Sequence, residues 1–545
     1  MTAMTTPKTN RIWIAALLVA IGLAGGYVIV RLILFITADY HWVEKLAAGL
    51  LIFAETFIII HGINYFRHII QVLSAHGSLS NEPPVLPPSN DKPPVAIVVS
   101  SFREPLAVIE NTLVCFHNLT YANKSIYLLD DTRYDQGSPE DNRQYRASVD
   151  ALCRRIGIPV FRRKWHGAKA GMINDFLAFR AGEEREGFEI QSWGKPPVEP
   201  EKYMMVFDAD MNPFPDTVEP LIATMEADPK LAFIQTPQYY TNFEANRVAR
   251  AAGLQQVVFY EYICEGKGIE GAMFCCGTNV IFRRKALMDV GGFDETSVTE
   301  DIVTSVKFHM KGWRSAYSSK VCAFGMGPED LGGYFKQQFR WALGTLGLFP
   351  HLVSLFIRRP RAMALSVWWE YIVSGTYYFI GTVFLLMVLT PICYLFFRIP
   401  TYFARPEIYF IVFIPYFALT LLVFFTTLEQ RQYRFRDIVL GQLLIAVTFP
   451  VYIQATWSAL LGKKGKFVVT PKAGANSLPL KSLWPQLLMI ILCYTAVVWG
   501  FCRTYYEREV VSAVLVNMFW CLYHMLILGS VFYYNAAEPS NKQNV

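Results

Sequence analysis

The chain has 545 residues, of which 53% are apolar and 17% charged, and a formal net charge of +6. That balance excludes an ordinary soluble protein. It also excludes a nucleic-acid binder, which needs a concentrated basic face, because the basic residues lie in loops beside apolar runs.

The first apolar run, about Ile12 to Ile36, is too long for the apolar part of a signal peptide, and no small-residue cleavage site follows it. It reads as a retained transmembrane helix, since about 20 residues cross a hydrocarbon core. A second run, about Leu46 to Phe66, ends at Arg67 and His68. Lys8 and Arg11 precede the first run, and Asp39 and Glu44 lie between the two. The positive-inside rule therefore predicts a cytoplasmic N-terminus and a cytoplasmic segment after Arg67. Residues 1–75 are read as two transmembrane helices, and 76–94, rich in proline from Glu82 onward, as a linker. The ten cysteines are scattered, several in apolar runs and without a Cys-x-x-Cys pair, and read as reduced structural thiols.

From 95 to 341 the composition becomes that of a soluble α/β domain. The runs Val95–Ser100, Ile126–Asp130 and Tyr203–Asp208 are short and apolar, and each ends in a polar or acidic residue. They alternate with segments of helical character, which predicts a mainly parallel, Rossmann-like sheet covered on both faces. Ligands of such sheets bind beyond the carboxyl ends of the strands. That edge would carry Asp130-Asp131, Lys169 in His166-Gly-Ala-Lys169, and Asp208-Ala-Asp210, with Glu300-Asp301 coming later. An isolated Asp-x-Asp is an ordinary acidic turn, and an isolated lysine a solvated one. At the end of a buried strand, Asp208 and Asp210 offer hard oxygen ligands for Mg2+ or Mn2+ beside substrate phosphates, and Lys169 a point charge for a diphosphate.

Beyond Trp341 the chain returns to membrane character. Residues 342–365 read as an interfacial helix ending in Arg358-Arg359-Pro360-Arg361. Two spans follow within 366–436, and 437–482 reads as a second interfacial helix and a loop, because Lys463, Lys464 and Lys466 argue against a crossing there. Two more spans fill 483–536, and 537–545 is a cytoplasmic tail. About six transmembrane helices are expected.

Taken in order, Asp130-Asp131, His166-x-x-Lys169-Ala-Gly, Asp208-x-Asp210, Phe274-Cys-Cys-Gly-Thr, Thr299-Glu-Asp301 and Gln337-x-x-Arg340-Trp341 resemble the processive family-2 glycosyltransferases. The likeness is to the bacterial cellulose synthase catalytic subunit and related β-glucan synthases, and it extends from Val95 to about Tyr534. Phe467-Val-Val-Thr470-Pro-Lys472 looks like the gating loop of that branch. The resemblance implies a GT-A domain inserted between transmembrane helices, in the cell (inner) membrane with its catalytic domain cytoplasmic. It implies an inverting hexosyltransferase that uses a UDP-sugar, UDP-glucose foremost, and Mg2+ or Mn2+. Asp301 would be the general base, with Glu300 beside it. Ser101, Glu104, Lys169, Asp208, Gln337 and Arg340 would bind the donor, as would Asp130 or Asp131, and Phe467, Thr470 and Lys472 would close over it. Trp341, Phe274, Cys276, Gly277 and Thr299 would face the acceptor, and Asp208 with Asp210 the metal. The partners implied are the donor, the growing polysaccharide, the lipid bilayer and, in addition, an accessory export subunit, with no nucleic acid.

Three features depart from the cellulose synthase pattern. The tail after Tyr534 is too short for a cyclic-dinucleotide-binding module, two helices rather than four precede the catalytic domain, and Asp130-Asp131-Thr132 has no glycine in third place. The expected product is a β-glucan. The alternatives are a chitin- or hyaluronan-like polymer and single transfer to a lipid carrier.

Overall fold

The structure, a computed structural model, describes residues 7–75, 92–193, 199–297, 299–403, 406–429, 431–463, 477–506 and 511–536. Two long helices, Pro7–Thr37 and Trp42–Ala75, precede an α/β domain, and a second group of helices follows it.

The domain is built on eight strands: β1 (Val95–Ser101), β2 (Lys124–Asp130), β3 (Val160–Arg162), β4 (Glu189–Gln191), β5 (Tyr203–Asp208), β6 (Leu231–Gln235), β7 (Val280–Arg283) and β8 (Arg314–Tyr317). Their order across the sheet is β8-β6-β7-β5-β1-β2-β3-β4. The pairs β1–β2, β1–β5, β2–β3 and β6–β8 are parallel, and the other three are antiparallel. The three strands expected from sequence are all present, at the centre of the sheet.

Alternation along the central strands explains why they are apolar throughout. Ile97, Val99, Met205 and Phe207 enter one core with Ile109, Leu113 and Phe116 of the helix Leu106–His117. Ala96, Val98, Met204 and Val206 enter the other with Met172, Ile173 and Phe176 of the helix Ala168–Arg180. Successive side chains point to opposite faces, so a strand buried on both faces shows no polar alternation.

Seven helices are long and apolar enough to cross a membrane, among the described residues and by length and composition alone. This is one more than expected. The additional helix is Leu331–Arg358, which was expected as an interfacial segment beginning at Ala342. It begins eleven residues earlier because Asp330 caps it, accepting the Gly333 N–H at 2.6 Å. The run 438–461 forms two helices, Phe435–Val447 and Phe449–Leu460, bent by 45° to each other. The chain is a multi-pass membrane protein.

Ionic contacts tie the α/β domain to the membrane helices. Buried Lys267 meets buried Glu370 of the helix Leu365–Thr376, and Arg431 reaches both Glu261 and Glu265 at 2.8 Å. The Tyr262 hydroxyl donates to the Thr427 carbonyl at 2.8 Å. Both partners of such a buried pair lose hydration, so removing one partner alone strands the other charge.

Candidate active site

A cavity of 1730 Å³ lies at the carboxyl edge of the sheet and runs against the helix Leu331–Arg358. Its lining includes Ser101, Glu104, Asp131, Lys169, Asp208 and Asp210 from the sheet side. Cys276, Gly277, Thr299, Glu300 and Asp301 line it too, as do Gln337, Arg340 and Trp341. Residues from seven separate stretches of sequence therefore share one space.

The adjacent acids at the end of β2 part ways. Asp130 is buried behind the wall, where its carboxylate accepts from Arg162 Nε at 2.7 Å and from the Tyr134 hydroxyl at 2.6 Å. Asp131 lines the cavity, with Arg163 at 3.1 Å. Burial pushes the Asp131 carboxyl up to about 7, while Arg163 pulls the other way and Asp130 adds to the push.

Lys169 stands in the first turn of its helix and donates both to the Asp208 carboxylate and to the Gly277 carbonyl, the latter at 2.7 Å. Burial disfavours its charge, but the Asp208 contact outweighs burial and holds its pKa above the usual lysine value. The Asp208 N–H donates to Thr278 Oγ1 at 2.9 Å, and Asp210 Oδ2 accepts the Met326 N–H at 3.4 Å.

Glu300 and Asp301 open the helix Glu300–Met310, whose N-terminal dipole favours carboxylates. Asp301 Oδ1 accepts the Ile302 N–H at 2.9 Å. Burial pushes both carboxyls above the ordinary range, and for Glu300 the neighbouring Asp301 adds to the shift. A carboxylate held at a raised pKa is the better proton acceptor near neutral pH. The turn before this helix packs on Gly344, where a Cβ would collide with the Thr299 side chain. The helix carrying Gln337, Arg340 and Trp341 can therefore press directly on the turn that carries Asp301. The spacing i, i+3, i+4 puts those three residues on one face of that helix.

One residue expected to face the acceptor takes another place. Phe274 packs in the core beneath Leu348, Leu352 and Trp368 and does not line the cavity. Phe467, Thr470 and Lys472 lie outside the described residues. Sequence reasoning gave no role to Trp165, Arg133, Gln238 or Thr278, all of which line the cavity. Arg133 stacks on the Trp165 ring at 4.2 Å. Thr278 had a signal, since it follows directly on the Cys276-Gly277 pair already singled out.

A mainly parallel sheet with Asp-x-Asp at the end of its central strand is the arrangement of the GT-A glycosyltransferases. Residues 96–291 match the family described as Glycosyl transferase family 2, and residues 203–426 the one described as Glycosyl transferase family group 2. The chain carries a family-2 glycosyltransferase domain. Cellulose synthase 2 of Novacetimonas hansenii is 26% identical over 83% of this chain and 27% of its own length. The cellulose synthase catalytic subunit (UDP-forming) of Pseudomonas fluorescens (strain SBW25) is 25% identical over 80% of this chain and 56% of its own. That of Xanthomonas axonopodis pv. citri (strain 306) is 27% identical over 97% of this chain and 71% of its own. The chain thus spans little more than half, or less, of the first two relatives. A solved mannosyltransferase, PcManGT from Pyrobaculum calidifontis in complex with GDP-Man and Mn2+, aligns with 77% of this chain and all of its own. The identity there is 16% and the TM-score 0.43.

Proposed function

We propose that the protein is a membrane-embedded, processive polysaccharide synthase. It transfers a sugar, glucose foremost, from a UDP-sugar to the non-reducing end of a growing β-glucan and passes the polymer across the membrane. The observation that carries this reading is the shared cavity. A phosphate-type edge (Lys169, Asp208, Asp210), a carboxylate pair of raised pKa (Glu300, Asp301) and the Gln337-x-x-Arg340-Trp341 face of an apolar helix all line it. The catalytic domain faces the cytoplasm, where the donor is made.

In this reading Asp301 takes the proton of the acceptor hydroxyl. The acceptor oxygen forms its bond to the anomeric carbon while the bond to the diphosphate oxygen breaks, and the anomeric configuration inverts. Only one base is needed, since the diphosphate leaves as an anion. Lys169 and Arg340 offset the charge that develops on it. Asp131, Ser101 and Glu104 meet the nucleoside, and Trp341 offers an apolar face and an indole N–H to the acceptor sugar.

Among the described residues no three His, Cys, Asp or Glu side chains gather to hold a metal ion by themselves. The pair Asp208 and Asp210 fits Mg2+ or Mn2+ only with donor phosphate oxygens completing the shell, which is how Mg2+ is commonly held. Bound there, such an ion would act as a Lewis acid on the departing diphosphate.

The test is incubation of the purified protein in lipid nanodiscs with individual UDP-sugars, followed by linkage analysis of any polymer. UDP-glucose should give UDP and a β-linked glucan. A chitin- or hyaluronan-like product would move the donor assignment, and transfer of one sugar to a lipid would overturn processivity.

A further inference from the structure

Gln235 ends β6 and is fully buried, yet its side chain spends itself on a loop some forty residues away. Its Oε1 accepts the Cys276 N–H at 2.8 Å, and its Nε2 donates to the Thr278 carbonyl at 2.8 Å and to the Thr236 carbonyl at 2.9 Å. Ser305, also fully buried, supplies a second tie. Its Oγ accepts the Cys275 N–H at 2.8 Å and donates to the Asp301 carbonyl at 2.7 Å. The turn 275–278 is thereby fastened at both ends. Between the two ties lies Gly277, whose carbonyl accepts Lys169 Nζ and whose α-carbon faces Asp301 Oδ2. Thr278, the last residue of the turn, accepts the Asp208 N–H.

We infer that Gln235 and Ser305 are positioning residues for the transfer, fixing the turn 275–278 so that the base Asp301 and the donor-side groups Lys169 and Asp208 keep one separation. This rests on the transferase reading above. The chemistry asks for such a brace. Effective transfer needs the reacting groups held to a fraction of an ångström, and a displacement of about 1 Å can cost about 10²-fold in rate. A side chain serving only to fill the end of β6 would be apolar, because a buried amide returns its desolvation cost only when its hydrogen bonds are made. This amide makes them mainly with the turn.

The test uses the full chain in nanodiscs and the variants Gln235→Met, Gln235→Glu and Ser305→Ala, with rates referred to folded protein. Gln235→Met should lose about 10²-fold in kcat. Gln235→Glu keeps the acceptor for the Cys276 N–H but can donate to the Thr278 carbonyl only when protonated. Its rate relative to the native protein should therefore exceed that of Gln235→Met and rise as pH falls. A merely structural role predicts equal, pH-flat losses in the two variants, or full kcat in the folded fraction, and either overturns the inference.

A readout that needs no turnover separates this inference from the transferase reading. Labelling of Cys276 by N-ethylmaleimide, followed by peptide mass spectrometry, should be faster in Gln235→Met and Ser305→Ala than in the native protein. Unchanged labelling overturns the brace even if transfer is observed. Faster labelling upholds it whether or not UDP-glucose is the donor.

Discussion

Gly277 and Asp301 meet so closely that the missing side chain of the one sets the place of the other. Gly277 has a φ of +84°, and a Cβ there would stand 3.2 Å from Asp301 Oδ2. The left-handed backbone costs an L-residue roughly 1–2 kcal/mol, and the added methyl group presses on the proposed base. Gly277→Ala should therefore fold with slightly lower stability and lose at least about 10²-fold in kcat, with a smaller change in UDP affinity. Kinetics and UDP titration on the same preparation check this, and near-native kcat would contradict it.

The acid pair makes a second prediction, for pH. Burial raises the pKa of Asp301, and a general base works only when deprotonated. The acid limb of kcat/KM should accordingly have its midpoint above the usual carboxylate range. For a carboxyl whose pKa is raised on folding, the folded state binds the proton more tightly than the unfolded state. Its contribution to stability is full below the unfolded pKa and is lost as pH rises through the folded one. Asp301→Asn removes that loss, so near neutral pH its melting temperature should equal or exceed that of the native protein. A clearly lower melting temperature would assign Asp301 a structural role.

A third prediction concerns the metal. Because Asp208 and Asp210 can complete a hard-oxygen shell only with the donor's phosphates, chelation should abolish turnover, and Mg2+ or Mn2+ should restore it. Asp210→Asn should raise the metal concentration needed for half-maximal rate. Full turnover in excess chelator would remove the metal from the account.

The central strands and the acids at their ends were readable in sequence because a strand buried on both faces is an unbroken apolar run with a polar stop. β7, four residues that lead at once into the helix Arg284–Asp289, carries no period of its own and was missed. Asp130 is the last residue of β2 and Asp131 the first beyond it, and only Asp131 enters the cavity. Which one did depended on Arg162, a partner from another strand. The start of the helix at Leu331 was hidden because Leu331–Trp341 is polar and glycine-containing; its cap, Asp330, shows only in three dimensions. The reach of Gln235 was beyond any pattern, since its partners are backbone atoms of a distant turn.

The role of Asp301 as the base beside an intact donor site is tested most directly by one measurement: UDP affinity and polymer yield of Asp301→Asn on the same purified sample. The amide keeps the shape and the hydrogen bond from the Ile302 N–H but cannot take a proton. Base catalysis contributes about 10²–10⁴-fold, so polymer should fall by that factor while UDP binds nearly as before. Polymer synthesis at a substantial fraction of the native rate, or loss of UDP binding in step with activity, would contradict it.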